Sequence, residues 1–144
     1  MRAVAVEAAG RWAASREVGQ IVADFEQRHR RRFLFTTEQG LAFLLDLARP
    51  ARLRDGDGLV LEDGSIVRVV AQVESLVEIT TFDDRSLTAI AWHLGNRHLP
   101  VQVMRHALRI RAEPVAEEMV LGLGGNVDPI EAAFDPEPGA YDHG

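Results

Sequence analysis

Five histidines, His29, His93, His98, His106 and His143, are the residues of this 144-residue chain best suited to chemistry. Imidazole nitrogens are borderline ligands that suit nickel, copper or zinc. All but His29 lie in the second half of the chain, where acidic residues would attract a cation. Cysteine is absent, which removes disulfides, thiolate nucleophiles, iron–sulfur clusters and cysteine-based zinc sites, so a metal would have to use nitrogen and oxygen ligands. His93 and His98 stand five apart, about 140° around a continuous helix, and cannot chelate as an i, i+4 pair does. His93 taken alone reads as a surface or capping residue. A metal at His98 therefore calls for a second chain, and a two-fold axis beside His98 would double its ligands without a second motif.

The other local patterns are turns and charge. Asp55-Gly-Asp57-Gly-Leu59 opens like a calcium loop, but Leu59 occupies the third ligand position and no glutamate closes the loop, which leaves a turn. Gly122-Leu-Gly124-Gly125 follows an expected helix instead of preceding one and has no lysine, so it reads as a helix stop. Arg28-His29-Arg30-Arg31-Arg32 is a positive patch that could meet an acidic partner or nucleic acid, although a solvated strand edge guarded by charge explains it more economically. Neither a Gly-x-Ser-x-Gly elbow nor a His-Glu-x-x-His frame occurs, and hydrolytic catalysis has no support.

The elements that must position these residues fall into two sets, with a boundary near residue 71. In the first, Asp-Gly pairs at 57–58 and 63–64 flank Leu59-Val60-Leu61, and β-branched residues from Ile66 to Val70 follow, a hairpin signature. Phe33 to Phe35 reads as a strand, and Phe43 to Leu45 as a strand or a helical turn. In the second, Val73 to Thr81 alternates as a strand. Asp83, Asp84 or Ser86 can cap a helix through Leu87, Ile90, Ala91 and Leu94, with Gly95-Asn96 as its stop. Strands at 101–104 and 108–111 flank a turn near Arg105-His106. Pro114 opens a second helix that Gly124-Gly125 ends, and Ile130 to Phe134 makes a short last strand. The fold class is α+β: a mainly-β domain over 1–71, then β-α-β-β-α-β, the ferredoxin-like order, over 72–134. Residues 135–144, rich in proline and glycine, are expected to form an extended, mobile tail.

Composition narrows the function further. With 47% hydrophobic and 26% charged residues the chain has globular proportions, which excludes disordered and collagen-like classes. No apolar run approaches the roughly 18–20 residues of a membrane span, and the first ten residues lack a leader's apolar stretch, so a cytoplasmic protein without membrane contact is expected. Residues 1–71 carry a net charge of +1 and residues 72–144 one of −7, matching the overall −6. That balance argues against a dedicated nucleic-acid binder. All 16 basic residues are arginine.

The segment Trp92-His-Leu-Gly-Asn-Arg-His98-Leu-Pro100-Val-Gln102 resembles the signature of the urease accessory protein E (UreE) family, the nickel metallochaperones of urease maturation. Arg30 to Thr37, Leu53 to Gly64 and Phe134 to Tyr141 are similar to further family segments in their expected order, so the resemblance covers about residues 25–144. It implies a homodimeric, non-enzymatic carrier of Ni2+, with zinc and copper as competing ions in vitro. Its implied partners are an accessory GTPase and the urease apoprotein complex. It implies an amino-terminal domain for protein contacts, where Arg30, Arg31 and Arg32 are candidates, and a ferredoxin-like domain for metal binding and dimerisation. His98 matches the principal ligand, near the dimer axis, and His143 takes the place of the tail histidines. His93 matches a recurrent family histidine near the site, for which a structural role is preferred, and His106 matches no family ligand. Two departures stand out. Ala112 and Pro114 replace a His-x-His pair found in some members, and a long histidine-rich tail is missing, so high-capacity metal storage is not expected. The alternative is a protein-interaction module that uses the β domain without metal. A metal-dependent hydrolase is a distant third.

Overall fold

The computed structural model describes residues 1–138, and the chain divides after Gln72 into two compact units. In the first unit, strands β1 (Arg2–Glu7), β2 (Glu17–Ala23), β3 (Arg32–Thr36), β4 (Ala42–Asp46), β5 (Gly58–Leu61) and β6 (Ile66–Ala71) form one mixed sheet in the order β2-β6-β5-β1-β4-β3. Alternation in these strands sends Phe35, Phe43, Leu45, Leu59, Leu61, Val67 and Val69 to one buried cluster. The sheet curls until the β3–β4 turn reaches β2, where Glu38 donates its N–H to the Gln20 carbonyl at 2.8 Å. The segment around Phe43 is thus a strand and not a helical turn.

Side chains of the turns explain why the strands stop where they do. Between β5 and β6 the Asp63 carboxylate accepts from the Ser65 N–H at 2.9 Å, and Gly64 takes φ 87°, a left-handed conformation that an ordinary side chain resists. The Asp55–Leu59 region is a turn. Buried Asp57 accepts from the N–H groups of Ala9 (3.0 Å) and Arg54 (2.8 Å), so its carboxylate is spent on backbone donors. A short helix α1 (Phe25–Arg28) opens on a capping box between Asp24 and Gln27.

The second unit runs β7 (Val73–Thr80), α2 (Asp84–Asn96), β8 (Gln102–Val103), β9 (Leu108–Arg111), α3 (Pro114–Gly122) and β10 (Asn126–Ala133). Its sheet order is β10-β7-β9-β8 with every neighbour antiparallel, which is the ferredoxin-like topology. Val77 and Ile79 of β7 and Leu108 and Ile110 of β9 face a core shared with Leu87, Ile90 and Leu94 of α2 and Ala116 and Val120 of α3. Gly125 allows the last strand to leave α3 closely, because a Cβ there would stand 2.7 Å from Val120 and 2.9 Å from Ile90. The last strand begins at Asn126, earlier than Ile130. Pro129 hid this, yet β10 is an edge strand bonded to β7 alone, and an edge tolerates a missing N–H.

Candidate metal centre

Helix α2 is what aims His98. At its start, Asp83 accepts from the Ser86 N–H at 2.8 Å, and the hydrogen bonds to Ser86 hold the carboxyl below its ordinary pKa. Leu87, Ile90 and Leu94 bury one face. At its end, Arg97 is the C-cap and His98 takes φ 60°. His98 donates its N–H to the Gly95 carbonyl at 2.9 Å, and Leu99 donates to Leu94 at 3.3 Å. This is the Schellman pattern, with histidine in the left-handed position that glycine usually fills. Leu94 and Leu99 both contribute to the helix-side core, which supplies the apolar clasp such an ending needs. Gly95 and Asn96 are therefore the last helical residues and not the stop, which falls two residues later.

The consequence is an exposed imidazole carried on a turn at a helix end, the only non-glycine residue with positive φ among those described. A left-handed non-glycine residue costs on the order of 1–2 kcal/mol, and such positions concentrate at functional sites. Six residues back, Trp92 leaves 66% of its surface in solvent, and its ring meets that of His93 edge-on at 5.1 Å. His93 itself is half-buried, and its carbonyl accepts from the Arg97 N–H as part of the helix end.

The remaining histidines sit elsewhere. His106 lies on the β8–β9 turn with Nδ1 3.4 Å from Asp84 Oδ1, both groups exposed. His29 belongs to the first unit and packs its ring 4.6 Å from that of Phe25. Ala112 follows β9 directly and Pro114 is the first residue of α3, and neither side chain carries a ligand atom. His143 is outside the described residues. Among the described residues no group of three or more His, Asp or Glu gathers closely enough to hold a metal ion.

The arginine run also divides. Arg28 is fully buried, its Nε donating to the Ala23 carbonyl (3.1 Å) and Nη1 to that of Leu53 (3.3 Å), so it is a structural strut and no part of a solvated strand edge. Arg30, Arg31 and Arg32 are exposed, with Arg30 stacked on Phe33 at 5.5 Å and Arg32 3.9 Å from Asp46. The Leu47 N–H bonds to the Arg31 carbonyl and the Leu53 N–H to that of Arg28, so the exposed Arg49 and Arg54 are carried on the adjoining segment.

Comparison with known proteins assigns the family. Residues 2–72 match the family model of the UreE urease accessory protein N-terminal domain, and residues 74–144 that of its C-terminal domain. The chain belongs to the UreE urease accessory protein family. UreE proteins of Rhodopseudomonas palustris strain BisB18 and Bradyrhizobium sp. strain BTAi1 are each 53% identical to it over 98% of its length, and one from R. palustris strain HaA2 is 56% identical over 84%. The chain spans 66%, 68% and 56% of those relatives, respectively. No helix among the described residues is long and apolar enough to cross a membrane.

Proposed function

We propose that this UreE-family chain is a homodimeric nickel metallochaperone, in which His98 from two protomers grips one Ni2+ ion and the tail histidine, His143, adds a further ligand. Nickel is the cargo, handed to an accessory GTPase and the urease apoprotein complex in the cytoplasm. The chain works as a carrier and not as an enzyme. The observation that carries this reading is His98 itself, an exposed imidazole held in a left-handed backbone at the end of α2. Exposed Trp92 on the same helix supports a dimer face there, since a tryptophan two-thirds in solvent gains most by being covered.

Ligand number explains how such a site would give up its metal. An imidazole donates one lone pair, so two copies of His98 leave most positions around nickel to water or the tail. A partly hydrated ion on an exposed turn exchanges ligands without unfolding anything. Zinc and copper compete at imidazole sites, copper most strongly. Residues 72–134 would supply metal binding and dimerisation, and residues 1–71 would meet the partner through Arg30, Arg31 and Arg32. The consecutive exposed residues Arg30, Arg31 and Arg32 favour an acidic partner surface and are the observation that supports the metal-free interaction module as a second reading.

Isothermal titration of the dimer with a nickel salt tests the proposal. Tight binding near one ion per dimer, abolished by His98→Ala, is expected; an unaltered titration in that variant contradicts it.

A further inference from the structure

Strand β8 is a weak anchor for the chain that precedes it. It has two residues, Gln102 and Val103, and lies at an edge of the second sheet, paired with β9. Yet it continues directly from the His98 turn through Leu99, Pro100 and Val101, so the exit from the left-handed residue is fixed no better than these residues are. Pairing sets their directions. Met104 donates its N–H to the Ala107 carbonyl at 2.9 Å and Gln102 stands opposite Arg109, which turns the Gln102 backbone toward β9 and the Val101 carbonyl toward the open edge.

The chain beyond β10 closes that edge. The Glu137 N–H donates to the Val101 carbonyl at 2.8 Å, and the Asp135 N–H to Gln102 Oε1 at 3.1 Å. Gln102 is also held at the other end of its amide, where Nε2 donates to Met104 Sδ at 3.4 Å. Phe134 and Pro136, which alternate with the two donors, are buried. Phe134 does not belong to the helix-side core, and Leu76, which alternates with Val77 and so points away from the helices, is 1% exposed. Residues 135–137, expected to begin a mobile tail, are instead tethered. With Phe134 they form a strap on the helix-free face that hooks the open edge of β8.

We propose that this strap is the outer anchor of the His98 turn, and that Gln102, Phe134 and the Glu137 amide are positioning groups for the imidazole. The inference rests on the nickel-carrier reading above. On its inner side the turn is held by Leu94 and Leu99, and on its outer side it runs into a two-residue strand that the strap braces. A left-handed residue other than glycine persists only where its surroundings over-determine it, and one backbone hydrogen bond contributes an amount comparable to the strain of one such residue. Loss of the Glu137–Val101 bond therefore lets the turn sample relaxed backbones in which the imidazole points elsewhere. Metal binding draws on the aligned fraction alone, so the apparent affinity falls with that fraction.

The test uses the full-length dimer. Glu137 stands between Pro136 and Pro138, an extended setting that a further proline can enter, so Glu137→Pro deletes the N–H donor while Glu137→Ala, which keeps it, serves as its reference. Gln102→Met removes the acceptor of the Asp135 N–H at similar size, and Gln102→Glu restores one. Amide hydrogen exchange of the metal-free dimer reads the turn through the His98 and Leu99 N–H groups. Exchange about tenfold faster at both is expected in Glu137→Pro and Gln102→Met, with the rates at Val77 and Ile79 unchanged. Calorimetric titration with a nickel salt, on a His143→Ala background so that the tail imidazole adds nothing, should show binding about three- to tenfold weaker in the same two variants and recovered in Gln102→Glu. Unchanged exchange at the turn overturns the proposal, as does faster exchange with unaltered nickel affinity. Equal acceleration at Val77 and Ile79 marks a strap that merely stabilises the unit and overturns it too. Tight binding retained in His98→Ala, or absent from His143→Ala alone, counts against the nickel-carrier reading instead, and the exchange rates then decide the strap by themselves.

Discussion

Leu99 donates its backbone N–H to the carbonyl of Leu94 at 3.3 Å, and the residue this bond reaches over, His98, is held at φ 60° by it. The two leucines act as a clasp: both belong to the core under α2, so the turn cannot relax without exposing apolar surface. Backbone strain at His98 is thereby balanced by burial on either side.

His98→Gly should make the protein more stable. Release of about 1–2 kcal/mol of left-handed strain is partly offset by the greater unfolded-state freedom of glycine, leaving a gain of about 0.5–1 kcal/mol. Denaturant unfolding checks it. A loss of stability would mean that the imidazole makes favourable contacts in the fold.

Acid should fray α2 from its first turn. The folded protein holds Asp83 below its ordinary carboxylate pKa through Ser86, so its stabilising effect is complete above the unfolded value and is lost as pH falls through the lower folded value. Asp83→Asn keeps an acceptor that does not titrate. Its helical circular dichroism should therefore respond less to acid below about pH 4 than that of the parent.

Arg28→Ala should cost about 2–4 kcal/mol, because the fully buried guanidinium bonds two carbonyls and fills its site. Arg31→Ala, at an exposed position, should stay within about 0.5 kcal/mol of the parent. Equal losses in thermal or chemical unfolding would contradict the division of the run into strut and surface.

Residues 73–144 should fold without the first unit, since the four-stranded sheet, both helices and their core all lie within them. A cooperative melt and a dimeric mass at micromolar concentration are expected. An unfolded or monomeric fragment would show that the first unit completes the second.

The ferredoxin-like order was legible because each of its signals is local: alternation in Val73–Thr80, the cap at Asp83, Pro114 at the head of α3 and the Gly124 stop. The exit of α2 was misplaced because glycine and asparagine tolerate positive φ, and that preference outweighed the Leu94–Leu99 spacing followed by Pro100, the signal that fixes the true turn. The Asp24–Gln27 capping box was present in the sequence but belonged to a helix of four residues, too short for periodicity to register. Long-range bonds were invisible. Nothing in Gln102 or Asp135 declares that they meet, because their hydrogen bond depends on which edges of the sheet β8 and β10 occupy. The same holds for Arg28, which reads as one of a charged run until the Leu53 carbonyl is brought to it. At the site, His98 stood out by resemblance, whereas its strained backbone is a property of the folded turn.

The most direct test of the account is a calorimetric nickel titration of the dimer beside its His98→Gly variant, which keeps the turn and removes the imidazole. About one tightly bound Ni2+ per dimer is expected in the parent and none in the variant, with dimer mass and fold unchanged. Tight nickel binding that survives in His98→Gly would place the site elsewhere and contradict the account.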